Sequence, residues 1–191
     1  MPPLVSIVVL TALVLMSCSS GSDAPVTDDS DGDDETTGET LPPVEDLVDK
    51  GQTLSVRNLQ LGHCWVGSSF DDADALTKLV AVTDCGQLHQ AEVYSVVCLG
   101  TFDDDLIIVP CGHDTVPLDY PGEAMLDHMA NEACLEGFEP FVGVEYSVST
   151  VDYVSFVPGE SVWASGDRTI VCSLIEDDAS AIRDSLLGAK R

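Results

Sequence analysis

Two kinds of apolar pattern run along this chain. Residues 4–17 (LVSIVVLTALVLMS) form one unbroken stretch without a charge. A spanning helix needs roughly 20 such residues, so this run is too short to cross a bilayer and has the length of a secretory signal core. Beyond residue 50 the apolar positions come in shorter, periodic runs. Residues 76–83 (LTKLVAVT), 91–99 (AEVYSVVCL) and 106–109 (LIIV) are rich in β-branched side chains and predict strands. The last two form a hairpin around the polar loop at 100–105. Residues 151–157 (VDYVSFV), stopped by Pro158-Gly159, and 169–175 (TIVCSLI) predict two more strands. Between the two groups lies a helix pattern. Leu126, Ala130, Cys134 and Phe138 recur every four residues, with Met125, Met129 and Ala133 beside them, which makes one apolar stripe for a core. Pro121-Gly122 opens this helix, Glu123 and Asp127 suit the positive end of its dipole, and Gly137 with Pro140 is expected to end it. Ser161 is expected to cap a single turn carrying Trp163. The segment after Glu176, with Ala181, Ile182, Ser185 and Leu186, reads equally as a short helix or a loose end. This order of elements predicts a small disulfide-stapled α+β domain, an antiparallel sheet packed against one main helix.

Charge divides the chain. Residues 19–49 carry eleven acids and no base, interleaved with Ser, Thr, Gly and Pro. Such a segment buries too little apolar surface to offset its chain entropy, and self-repulsion extends it. Asp29-Ser30-Asp31-Gly32-Asp33 has only a passing likeness to a calcium loop, without the sixth-position glycine. The segmentation is therefore 1–17 signal peptide, 18–52 acidic tether, 53–176 folded domain and 177–191 C-terminal tail. Over the whole chain 34 acids face 7 Lys and Arg, a formal net charge of −27. That field repels phosphates and anionic headgroups, so nucleic-acid binding is excluded.

Leu15-Met16-Ser17-Cys18, at the end of the apolar run, resembles a bacterial lipobox: an aliphatic residue, a tolerated one, a small one and the Cys that takes the lipid. Two acyl chains hold firmly, since each buried methylene is worth about 0.8 kcal/mol. The expected partner of Cys18 is thus the lipid bilayer, and the expected location is the outer face of the cell membrane. The opening Met1-Pro2-Pro3 departs from the pattern by lacking a basic residue.

Setting Cys18 aside, six cysteines remain: Cys64, Cys85, Cys98, Cys111, Cys134 and Cys172. An even number in an exported domain argues for disulfides, and no pair has the short gap of a zinc knuckle. Cys98 and Cys111 are symmetric about Asp104-Asp105. If they face each other across the hairpin, their Cα atoms lie roughly 4.5–5.5 Å apart, within disulfide range. Cys134 on the helix stripe and Cys172 in a central strand would join helix to sheet, and Cys64–Cys85 would tie the first segment to the end of the first long strand. Six cysteines allow 15 pairings, of which this is one.

Several fragments together resemble the septum formation-related domain of actinobacterial envelope proteins. Gly62-His63-Cys64 with Phe70-Asp71-Asp72 resembles its opening box, and Val82-Thr83-Asp84-Cys85 with Leu88-His89-Gln90-Ala91-Glu92-Val93 its second. Tyr120-Pro121-Gly122 opens its helix, and Cys134 stands at its helix cysteine. Val157-Pro158, Trp163, Gly166-Asp167-Arg168 and Cys172 match its ending. His63 stands where Asp is usual, Leu88 where Pro is usual, and Phe141 where Tyr is usual. Cys98 and Cys111 look like an added pair. The resemblance covers roughly residues 61–175. It implies an exported, membrane-attached protein linked by the family name to cell division.

No catalytic constellation emerges beside it. A Cys–His nucleophile needs a free thiol, which six paired cysteines do not leave. A serine elbow and a glycine-rich phosphate loop are both missing from the sequence. Of the four histidines, His63, His89, His113 and His128, the second draws attention. His89 enters a strand and could hydrogen-bond the Cys85 turn; alternation puts it on one face with Ala91, and Glu92 on the other. His128 is expected to be exposed. Trp163, Asp167 and Arg168 read as an ion pair under an aromatic ring. His89, Glu92, Trp163, Asp167 and Arg168 are the candidate structural or binding residues, with no catalytic residue, cofactor or metal expected. The resulting expectation is a non-enzymatic binding or adaptor domain with a protein or wall component as partner. The alternative is an extracytoplasmic enzyme or small-ligand or cation-binding module, which would gather His89, Asp167 and Arg168 in one pocket.

Overall fold

The computed structural model describes residues 52–67, 75–103, 105–112, 119–176 and 180–191. Cys18, the acidic tether and the calcium-like stretch lie outside them, as does His113. Seven strands form one antiparallel sheet: β1 (Gln52–Ser55), β2 (Cys64–Val66), β3 (Leu79–Thr83), β4 (Ala91–Phe102), β5 (Asp105–Val109), β6 (Val151–Phe156) and β7 (Thr169–Glu176). Their order is β1-β3-β2-β4-β7-β6, with β5 paired to the distal half of β4. The main helix is α1 (Glu123–Val142), and a short α2 (Glu160–Ala164) precedes β7. The α+β architecture with one main helix on an antiparallel sheet is the one the apolar pattern predicts.

Strand β7 shows why its run of apolar residues is continuous. Ile170, Cys172 and Leu174 face a cluster with Leu126, Ala130, Cys134, Phe138 and Val142 of α1. Val171, between them, faces a second cluster with Val56, Leu59, Trp65, Leu76, Val80, Phe156 and Val162. Successive side chains point to opposite faces, so a strand covered on both sides has apolar residues at every position. The polar residue inside this run, Ser173, is fully buried and accepts a hydrogen bond from Trp65 Nε1 at 3.3 Å.

Helix α1 runs through Gly137 and Pro140, its expected stops, and ends at Gly143, whose left-handed φ of +89° and N–H bond to the Glu139 carbonyl (2.8 Å) close the last turn. Burial explains the overrun: Phe138 and Val142 are fully buried, and their packing outweighs the bond that Pro140 cannot donate. Gly137 permits close approach to the sheet, since a Cβ there would sit 3.2 Å from that of Ser95. Met129 is buried, while Met125 is 50% exposed in the first turn and takes no part in the core.

Three other local expectations are corrected. The run at 76–83 splits into a 3-10 turn (Ala75–Thr77) and β3. Helix α2 starts at Glu160 with Gly159 in the capping position, two residues ahead of the expected Ser161 cap. The hairpin register differs as well. Cys98 lies opposite Val109, and Phe102 opposite Asp105, which leaves a two-residue loop in which Asp103 has a φ of +51°. Cys111 lies beyond β5, where the chain turns at Pro110 and Gly112 (φ +98°) and returns it to Cys98 with a Cα separation of 4.9 Å. The disulfides are Cys64–Cys85, Cys98–Cys111 and Cys134–Cys172.

The tail is neither helix nor loose end. It is irregular but tied down: it forms an antiparallel bridge between Ile182 and His89, and returns to the end of α1 through Gly188 N–H to Phe141 O (2.7 Å) and Lys190 N–H to Val142 O (2.9 Å). Ile182 and Leu186 are buried in the α1-side core.

At the bulge in β4, between Val93 and Ser95, Tyr94 reaches under α1 and donates to the Cys134 carbonyl at 2.9 Å. Burial, reinforced by Tyr153, Tyr146 and Asp152 nearby, pushes its pKa well above the usual tyrosine value. The folded state therefore retains this proton more tightly than the unfolded chain, whose tyrosine titrates near 10. The contribution is complete below about pH 10 and is lost as pH rises beyond it. Melting temperature is expected to hold steady to about pH 9.5 and then fall, less steeply in Tyr94→Phe. An identical alkaline slope in that variant would place the sensitivity elsewhere.

Candidate functional site

The five candidate residues form two groups at opposite ends of the paired part of β4. Trp163, Asp167 and Arg168 lie where β7 begins; the Arg168 carbonyl accepts from Leu99 N–H at 2.9 Å. Glu92 lies seven residues back along β4, about 23 Å at strand rise, with His89 just ahead of the strand. His89 therefore stands apart from Asp167 and Arg168 rather than in one pocket with them.

In the first group the guanidinium of Arg168 lies 3.7 Å from the Trp163 ring centroid and donates through Nη1 to the carbonyls of Trp163 (2.6 Å) and Asp167 (2.9 Å). Desolvation pulls its pKa below the usual arginine value, with the Asp167 charge pulling the other way. The expected stack on an aromatic ring is present, but the ion pair has a different partner. The Asp167 carboxylate meets Arg57 at 3.7 Å and accepts from Thr169 N–H at 2.9 Å. Arg57 sits in the 3-10 turn after β1, an element the sequence did not predict. This group binds the first segment, α2 and β7 to one another.

The second group is a buried polar cluster. His89 is fully buried, and its Nδ1 lies 2.8 Å from the Gln87 carbonyl. A carbonyl only accepts, so Nδ1 carries a proton, and in the Nδ1–H tautomer Nε2 presents a lone pair. That Nε2 is buried without a hydrogen-bond partner among the described residues. The Glu92 carboxylate, 1% exposed, accepts from Ser185 Oγ (2.6 Å) and from Leu186 N–H (2.6 Å). One ligand-type atom each from Cys64, His89 and Glu92 lie within 4.8 Å of one another, and all three residues are buried.

Strand alternation placed His89 and Glu92 on opposite faces. It fails because β4 starts only at Ala91. His89 lies two residues ahead of the strand in an isolated bridge, held by two backbone bonds to Ile182 (3.0 and 2.8 Å), and one of its ring nitrogens comes within 4.8 Å of a Glu92 oxygen. Ser185 and Leu186 are the partners the sequence did not disclose. Nothing in residues 180–188 signals that a distant carboxylate will anchor them.

The other two histidines among the described residues serve locally. His63 Nδ1 accepts from Gln60 N–H at 3.2 Å, and His128 stands exposed beside Glu132 at 3.7 Å. An open cleft of about 490 Å³ lies where α1 passes the middle of β4 and the end of β5, lined by Val96, Val97, Ile108, Pro110, Glu136 and Gly137 among others, and it contains none of the five candidates. Among the described residues no helix is long and apolar enough to cross a membrane.

No curated protein and no solved structure matches the chain. The family described as septum formation matches residues 61–188. Its span opens just ahead of Cys64 and closes just past Leu186, so it takes in both polar groups, all three disulfides and the tail that lies over Glu92. The chain belongs to the septum formation family.

Proposed function

We infer that this protein is an extracytoplasmic lipoprotein whose folded domain binds a partner in the cell envelope, a protein or a wall component, in support of septum formation and without turnover of a substrate. The observation that carries this reading is the way the candidate side chains are spent. Arg168, Asp167 and Glu92 are each committed to internal hydrogen bonds that join one segment of the domain to another. Activity then belongs to the outer surface, which is strongly acidic and suits a cationic partner. Family membership supports the septal link. The lipobox-like Leu15-Met16-Ser17-Cys18 supports the anchor, and the acidic stretch behind it supports a tether long enough to present the domain away from the membrane.

The anchor predicts that Cys18→Ser moves the protein from the membrane fraction to the medium or soluble fraction. Proximity labelling from the domain in intact cells is expected to mark septal proteins with the native chain and to lose that pattern with Cys18→Ser. Unchanged membrane partition of Cys18→Ser would falsify the lipid anchor, and labelling spread evenly over the envelope would remove the septal role.

A further inference from the structure

We propose that the Cys64–Cys85 bridge is the closed form of a metal site, which on reduction by a dithiol binds a thiophilic divalent cation such as Zn²⁺ through Cys64, His89 and Glu92, with Cys85 as the fourth ligand. Three observations converge on it. The ligand atoms of Cys64, His89 and Glu92 already lie within 4.8 Å of one another. Tetrahedral zinc, with bonds of about 2.0–2.3 Å, sets its ligands about 3.3–3.8 Å apart, so these three need to close by no more than about 1–1.5 Å, and Cys85, freed from Cys64, would swing in as the fourth.

The histidine is set up as a ligand. Its Nδ1–H is held by the Gln87 carbonyl, the arrangement that fixes the tautomer and directs Nε2 to a metal. That Nε2 is the orphan, a buried acceptor with no partner among the described residues. A buried acceptor left unpaired carries a desolvation cost that a cation would offset. Glu92 is likewise oriented from behind, each oxygen accepting one bond from the tail and keeping a lone pair free. Imidazole, carboxylate and two thiolates form a donor set suited to zinc.

The chemistry balances. Cys85 is only half-buried, whereas Cys64 is fully buried. A thiolate of the dithiol attacks Cys85 Sγ, the bond to Cys64 breaks, and Cys64 leaves as a thiolate that takes a proton. The second thiol of the reagent then displaces Cys85, leaving the reagent as its cyclic disulfide and the protein with two thiols. Metal binding releases one proton from each thiol. In an oxidising compartment the bridge stays closed and the site is blocked, since a disulfide sulfur is a poor ligand.

The test uses the full chain carrying Cys18→Ser, titrated with Co²⁺ before and after reduction by a dithiol, with alkylation mapping to show which bridges have opened. The reduced chain is expected to bind one Co²⁺ with thiolate charge-transfer absorption, which Zn²⁺ abolishes, and the oxidised chain none. His89→Ala and Glu92→Gln are expected to weaken binding at least about tenfold, the scale seen even for ligand-supporting groups. His113→Ala, two positions after Cys111 of the other accessible bridge in sequence, should change nothing. X-ray absorption of the reduced native chain with Zn²⁺ reads the site without a variant and should show sulfur and imidazole together. The proposal is overturned if the zinc shell holds only oxygen and nitrogen, if His113→Ala rather than His89→Ala abolishes the signal, if the oxidised chain binds equally, or if the reduced chain loses its sheet and binds no metal.

Discussion

Replacing Cys134 and Cys172 together by Ala is expected to cost about 4 kcal/mol and to lower the melting temperature by on the order of 10–15 °C. The bridge spans 38 residues and joins the middle of α1 to the middle of β7. Both cysteines are fully buried, in the cluster that also holds Phe138, Leu126 and Leu174. Opening the bridge lengthens the loops of the unfolded chain, which a 38-residue crosslink restricts by about 4 kcal/mol in the chain-entropy model, and leaves small voids where two sulfurs were packed. Replacing Cys98 and Cys111 instead removes a 13-residue crosslink at the side of the sheet, worth about 3 kcal/mol at most. Paired denaturant and thermal unfolding of the two double variants checks this. If the hairpin variant proves the less stable, the helix-to-sheet bridge is not the principal staple.

The two bridges also show what kind of information the sequence carried. Cys134 is readable because a period of four places it on the buried stripe of α1, and Cys172 because it sits inside TIVCSLI, the most strand-like run of the chain. Both signals are periodic and local, and both survive folding. The Cys98–Cys111 partnership was identified through a symmetric register that the hairpin does not adopt; the true register is set by a two-residue loop that Asp103 permits by entering positive φ. A disulfide tolerates a range of Cα separations, so the pairing was insensitive to that difference. β1 and β2 escaped notice because four and three residues are too few to display a period. Long-range polar contacts were the least legible. Arg57 with Asp167 and Ser185 with Glu92 are each joined across about 90 or more residues by the fold itself, and a lone Arg or Ser carries no mark of its distant partner. Helix α1 gives the converse case: Gly137 and Pro140 are local stop signals, and tertiary burial of Phe138 and Val142 overrode them.

Glu92→Ala is expected to release the C-terminal segment from the domain at a cost of roughly 3 kcal/mol or more. Glu92 is the one acidic side chain among the buried polar residues of the described chain. Its two oxygens take the Ser185 hydroxyl and the Leu186 N–H, and hydrogen bonds to a charged group contribute about 1.5–3 kcal/mol each. Removing the carboxylate leaves the Leu186 amide buried without an acceptor, so the segment is expected to lift rather than keep an unpaired donor inside. Ile182 and Leu186 would then leave the α1-side core, and the bridge between His89 and Ile182 would open with them. Glu92→Gln provides the contrast. Its amide oxygen can still accept from Leu186 N–H, and its NH₂ can donate to the Ser185 oxygen, so the loss should be near 1 kcal/mol. Hydrogen exchange at Leu186 and Ile182 resolves the two variants: protection should collapse in Glu92→Ala and persist in Glu92→Gln, while amides of β7 exchange at a rate set by global stability. Equal protection in both variants would mean that apolar burial of Ile182 and Leu186 alone holds the segment. The buried carboxylate would then have no structural task to explain its cost, and its place beside Cys64 and His89 would be the stronger reason for it.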